Sequence, residues 1–165
     1  MDAIKESEPT AMKNRMTVER KSERELAVTR TINGPARLVF EAFTQPELFR
    51  RWWVPKSFGV SLLSCEMDVR AGGRYRLVFS PGHEFYGRYL EVTPPSRLVW
   101  TNEEGEDGGA VTTVTLEERD GTTLLTMHDL YPSKEALDAA LAGMEDGMGE
   151  TLEQLDELVV TLTRA

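Results

Sequence analysis

Cysteine is nearly absent from this chain. Cys65 is its single example in 165 residues, so no intramolecular disulfide can form, and the composition suits a reducing compartment. Histidine is almost as scarce. His83 and His128 stand far apart, with no Cys/His spacing of the kind that holds zinc, so no metal is expected. Basic residues are in deficit: 19 Lys and Arg against 28 Asp and Glu leave a formal net charge of −9. That argues against nucleic acid and anionic membranes as partners, since both need a basic patch. It does not identify a partner, because moderate acidity mainly serves solubility. No apolar run approaches the roughly 20 residues of a membrane span. The first 25 residues contain no signal-peptide core, so a cytoplasmic location is the default expectation. A Ser/His/Asp order, a phosphate loop and a dinucleotide fingerprint are all missing, and Gly72-Gly73 reads as a strand turn. No catalytic residue and no cofactor is therefore named.

What remains is enough for one domain with a real core: 40% of residues are hydrophobic and 28% charged. Residues 1–24 are charge-rich and without a steady period, and read as a flexible tail with a helical turn near Met16 to Glu23. The single domain is expected over 25–165. "ELAVTRTI" (25–32) alternates and is β-branched, which predicts a strand. Asn33-Gly34-Pro35 ends it. "ARLVFEAFT" (36–44) has helical spacing, and Pro46 starts a second short helix running to about Trp53. Strands follow at 60–69, 73–80, 83–93, 97–103, 110–119 and 122–130, separated by Gly- and Pro-rich turns that predict an antiparallel meander. Ser133 is the expected N-cap of a last helix reaching about Thr163. Its stripe of Leu137, Leu141, Met144, Met148, Leu152, Leu155, Val159 and Leu162 would run about 45 Å. Gly143, Gly147 and Gly149 interrupt it, each at up to about 1 kcal/mol, so a kink or break is expected there. The helix can bury its stripe only against the curved sheet. The expected class is α+β: an antiparallel sheet wrapped around a long C-terminal helix, with two short helices after the first strand.

Five stretches carry a resemblance to a known family. They are "RTINGPARLVFEAFTQPELFRRWWVP", "EMDVRAGGRYRLVF", "GRYLEVTPPSRLVWT" and "GMEDGMGETLEQLDELV", with "TVTLEERDGTTLLTM" between the last two. Together they resemble the family named after the activator of the heat-shock-protein-90 ATPase (AHSA-type), within the START-like or SRPBCC superfamily. The resemblance spans about residues 25–162 and implies the helix-grip fold of the birch pollen allergen. That superfamily includes lipid carriers, hormone receptors, polyketide cyclases and aromatases, and co-chaperone domains, so fold does not fix activity. Two positions depart from the family pattern. Val54 stands where glycine usually precedes the proline of the Trp-Trp motif, and Met148 stands where a tryptophan is usual. If position 148 lines a pocket, the smaller and more adaptable Met alters its shape.

Three functions stay open on this reading. The first is binding of a small apolar or aromatic molecule between the C-terminal helix and the sheet. Its lining would come from Trp52, Trp53, Phe79, Tyr86, Trp100, Met127, Met144, Met148 and Leu152. Glu66 and Arg74 are the candidate polar anchors. The second is a cyclase-, aromatase- or hydrolase-like enzyme using the same pocket. The third is a stress-related co-chaperone-like domain that meets a chaperone or another protein through aromatic surface near Trp52, Trp53 and Phe58. A homodimer is compatible with the family, but no sequence feature marks its surface. Cys65 as nucleophile, and His128 with Asp129 as base and orienter, are weaker ideas. A buried strand cysteine is the commoner case, and neighbours on a strand face opposite sides.

Overall fold

A computed structural model describes residues 16–59, 62–80, 83–103, 109–144 and 148–164. The chain forms β1 (Thr17–Arg20), β2 (Glu25–Ile32), α1 (Ala36–Thr44), α2 (Pro46–Phe49) and a single 3-10 turn (Lys56–Phe58). Six strands follow: β3 (Ser64–Met67), β4 (Arg74–Ser80), β5 (His83–Thr93), β6 (Arg97–Thr101), β7 (Val111–Arg119) and β8 (Thr122–Leu130). Two helices end it, α3 (Lys134–Met144) and α4 (Met148–Arg164). The strands make one antiparallel sheet in the order β1-β2-β8-β7-β6-β5-β4-β3. This is the α+β helix-grip architecture, a curved sheet holding the C-terminal helix.

Local chemistry explains the joints. Pro35 precedes α1 and Pro46 opens α2, where a missing N–H costs nothing. Asp120 and Gly121, at φ 55° and 82°, make the two-residue hairpin loop between Arg119 and Thr122. Two left-handed residues match the twist of the strands they join. The Ser133 hydroxyl accepts the Ala136 N–H at 3.1 Å, so it caps α3 as its spacing predicts. Gly34 lets the β2–α1 loop press against α4; a Cβ there would lie 2.3 Å from Val159 Cγ1.

The helices bury one face each. Leu38, Val39, Ala42 and Phe43 of α1 face inward, as do Leu152, Leu155, Leu158 and Val159 of α4. Opposite them lie Val28 and Ile32 of β2, Val114 of β7, and Leu125 and Met127 of β8. Each such side chain contributes roughly 1.5–3 kcal/mol by leaving water.

Two expectations need correction. The stretch read as a helical turn in the tail is β1, paired with β2 from Thr17↔Thr29 to Arg20↔Leu26. Backbone pairing to an available sheet edge overrides its weak local preference. Residues 1–15 lie outside the described residues. The last helix, by contrast, breaks where its glycines predict, into α3 ending at Met144 and α4 starting at Met148, and residues 145–147 between them also lie outside the described residues. β3 is four residues, Ser64–Met67, not the ten of 60–69. No helix among the described residues is long and apolar enough to cross a membrane.

Arg30 is an oddity of the inner face. It sits between Val28 and Ile32 on β2, is buried, and its Nε has no hydrogen-bond partner among the described residues. A buried donor without a partner costs on the order of 1–3 kcal/mol. Arg30→Met keeps the aliphatic stem and removes that cost, so it is expected to raise the urea midpoint, by about 1 kcal/mol of stability. A lowered midpoint would mean that Arg30 has a partner in solution.

Candidate functional site

The two tryptophans that follow α2 separate at once. The chain leaves α2 in a turn, with both the Trp52 and Trp53 N–H groups directed at the Phe49 carbonyl. Trp52 drops into the core with no exposed surface. Its indole N–H donates to the Ala42 carbonyl at 2.9 Å. Its ring meets Phe43, Phe49 and Trp53 edge-on, at 4.8, 5.4 and 5.4 Å between centroids. Trp53 stays half-buried and stacks on Phe49 at 4.8 Å.

Trp53 forms part of the wall of a cavity of about 190 Å³ between the short helices and the sheet. Phe43 and Phe49 contribute from the helices, Met67 from β3, and Tyr75 and Leu77 from β4. Phe85 and Tyr89 of β5, Leu98 and Trp100 of β6, and Asn102 complete it. No charged side chain is among them. A neighbouring open cleft of about 480 Å³ shares Trp53 and Phe85 with the cavity. Its other walls include Trp52, Pro55, Phe58, Met127, Ala140, Met148, Thr151 and Leu152.

Gln154 of α4 holds the rim of both. Its buried Nε2 donates to the Trp52 and Val54 carbonyls at 3.0 and 2.9 Å. Its Oε1 accepts the Lys56 N–H at 2.8 Å. One turn earlier, Glu150 takes the Ser57 hydroxyl and N–H, and these bonds hold its carboxyl below the usual range. Nothing in the local pattern singles out Gln154, because its partners lie about a hundred residues away.

A row of polar groups crosses one end of the inner face. Tyr75 Oη donates to the Thr101 carbonyl at 2.7 Å and lies 3.3 Å from Asn102 Oδ1. Asn102 Nδ2 donates to the Ala110 carbonyl at 2.9 Å and to Thr112 Oγ1 at 3.0 Å. The Thr112 hydroxyl donates in turn to Asp129 Oδ1 at 2.5 Å. Burial pushes the Asp129 carboxyl up; the bond from Thr112, the nearby His128 and a bond from Tyr131 oppose that.

The expected site residues divide into groups. Trp53 and Trp100 reach the cavity, and Trp52, Met127, Met148 and Leu152 reach the cleft. Phe79 is half-buried at the far end of β4, edge-on to Phe85 at 5.1 Å. Met144 closes α3, and its side chain lies outside the described residues. Tyr86, Glu66 and Arg74 are corrected: all three are exposed and, with Tyr75, Arg76 and Glu84, line a separate open cleft of about 500 Å³ rather than the cavity. Alternation is the reason. Cys65 and Met67, Tyr75 and Leu77, and Phe85 and Tyr89 take the inner positions, which turns their neighbours outward. Most of the cavity wall escaped the expectation, including Phe43 and Phe49 of the short helices and Met67, Tyr75, Leu77, Phe85 and Tyr89, and the same alternation marks the five on β3, β4 and β5.

The weaker chemical ideas lose ground on geometry. Cys65 Sγ lies 3.5 Å from Met67 Sδ, and burial pushes its thiol up, against the nearby Arg50 and with Glu47. A thiolate is thereby disfavoured. His128 Nε2 faces Glu25 Oε2 at 3.5 Å, while Asp129 faces Thr112, so the two neighbours do not work together. Among the described residues, no three of His, Cys, Asp and Glu group as metal ligands do.

Solved structures share this frame. A protein from Nitrosomonas europaea is 28% identical, with a TM-score of 0.76 over 88% of this chain and 100% of its own. One from Rhodobacter sphaeroides is 25% identical, with a TM-score of 0.80 over 88% and 99%. One from Chromobacterium violaceum is 30% identical, with a TM-score of 0.66 over 82% and 96%. Comparison with curated proteins finds no match. Residues 33–160 match the family described as Activator of Hsp90 ATPase homolog 1-like protein. This stretch includes α1, α2, all the lining residues and most of α4, and the chain belongs to that family.

Proposed function

We propose that the protein binds a small apolar or aromatic molecule in the cavity between the short helices and the sheet. One observation carries the reading: about 190 Å³ of space with aromatic walls and no charged lining inside an otherwise packed core. Packed interiors contain few voids larger than a water molecule. An apolar cavity of about 150 Å³ is enough for benzene, so this one suits one or two fused rings. The stacked Phe49–Trp53 pair and Trp100 offer faces for ring stacking.

Filling the space tests the reading. Met67→Phe and Leu77→Phe add volume to two walls. Each is expected to weaken uptake of naphthalene by about tenfold or more, while the thermal midpoint holds or rises. Native mass spectrometry of freshly purified protein would show any retained compound directly. A wild-type protein that takes up no ring compound, with variants indistinguishable from it, would remove the proposal.

A co-chaperone-like role draws support from the family and from the cleft, whose Phe58 and Phe85 are 53% and 41% exposed. Stimulation of a purified Hsp90-class ATPase, lost in Phe58→Ser, would favour it; an unchanged ATPase rate would count against it. An enzyme using the cavity would need convergent polar groups. Asn102 and Tyr75 converge there, and neither offers a carboxylate or an imidazole, so binding is the better-supported reading.

A further inference from the structure

The polar end of the cavity restricts what kind of ring compound fits. The amide orientation of Asn102 follows from its partners. The Thr112 hydroxyl has one hydrogen and places it on Asp129, so toward Asn102 it can only accept. The Ala110 carbonyl also only accepts. Both Nδ2 hydrogens of Asn102 are therefore committed away from the cavity, and Oδ1 is the atom turned toward Tyr75. Tyr75 has one hydroxyl hydrogen, and the Thr101 carbonyl at 2.7 Å competes for it better than Asn102 Oδ1 at 3.3 Å. A carbonyl oxygen has two lone pairs, so Oδ1 keeps at least one for a guest.

Tyr89 is a second polar side chain of the wall. It lines the cavity and is only 3% exposed. Burial pushes that phenol up, so it keeps its proton and can donate.

We infer that the guest is a neutral compound of one or two fused rings carrying a hydroxyl, whose O–H is accepted by Asn102 Oδ1 and whose oxygen can accept from Tyr89. Acceptor-only groups meet Oδ1 with like polarity. A carboxylate would also enter a lining that holds no cation to pair with it. This inference rests on the cavity-binding reading above and adds the polarity of the ligand.

Four naphthalene probes test it by isothermal titration calorimetry: naphthalen-2-ol, its methyl ether, naphthalene and naphthalene-2-carboxylate. The alcohol is expected to bind about tenfold tighter than the ether, the gain of one hydrogen bond in a dry site, with the carboxylate weakest. Asn102→Leu should bring the alcohol and the ether to equal affinity. Tyr89→Phe should weaken both and preserve their ratio, because an ether oxygen accepts as well as a hydroxyl oxygen. If Asn102→Leu does not fold, Thr112→Val is the substitute. It frees the amide to turn, and the ratio should fall. Equal binding of alcohol and ether by the wild type, or a ratio that survives loss of Asn102, overturns the hydroxyl assignment and leaves the cavity reading standing. Binding of none of the four overturns both.

Discussion

Trp52→Ala is expected to cost about 3–5 kcal/mol, the range for removing a large aromatic side chain from a core. A domain of this kind has roughly 5–15 kcal/mol in total, so much of the population should unfold or fail to express. The size of the effect follows from position. Trp52 has no exposed surface, touches three aromatic rings edge-on, and donates its indole N–H to the Ala42 carbonyl. Its loss empties a space that α1, α2 and α4 all border. Trp53→Ala is the control. That ring is half-buried and makes its main contact with Phe49, so its removal should cost about 1–2 kcal/mol and act mainly on ligand uptake. Urea unfolding followed by far-UV circular dichroism separates the two. Equal and small costs would contradict the division of roles between adjacent indoles.

Gln154→Leu should be nearly as damaging, at about 2–4 kcal/mol. The variant is apolar and close in size, so packing changes little. What changes is that the Trp52 and Val54 carbonyls and the Lys56 N–H lose their partner together. Each unsatisfied group costs on the order of 1–3 kcal/mol if it stays buried, and less where the rim lets water in. Hydrogen exchange gives the sharper readout. The Lys56 amide should lose its protection while amides of β7 and β8 keep theirs. Unchanged exchange at Lys56 would mean that the rim is held by Glu150 and packing alone.

Strand boundaries were readable where alternation met strong punctuation. β2, β5 and β8 run over 25–32, 83–93 and 122–130 as their patterns predict, bounded by Asn33-Gly34-Pro35, Pro94-Pro95 and Asp120-Gly121. α1 was equally legible, because Pro35 and Pro46 bracket nine residues of helical spacing. β1 was not. "TVER" is four exposed residues whose only reason to be a strand is the edge of β2, a contact made in space. The site was legible in part. The inward set on β6 followed from Leu98 and Trp100, and Asn102 joins that set. On β5 the pattern offers two apolar series, Phe85 with Tyr89 and Tyr86 with Leu90. Arg88 shares its side with Tyr86, which is the residue-level clue that Tyr86 faces water. The tie from Gln154 to the rim and the chain from Asn102 through Thr112 to Asp129 could not be read. Both depend on helix placement and on cross-strand register such as Thr112↔Asp129, which no local pattern encodes.

Both outer strands of the described sheet, β1 and β3, are only four residues long. Glu19 and Arg20 place opposite charges on one of them, and Arg20 is pinned by Asp138 of α3. An incoming extended chain therefore finds two short templates, both carrying charge, and little backbone to copy. A peptide arriving as a ninth strand, or a second copy pairing edge to edge, would gain only a few backbone hydrogen bonds at either rim of the sheet.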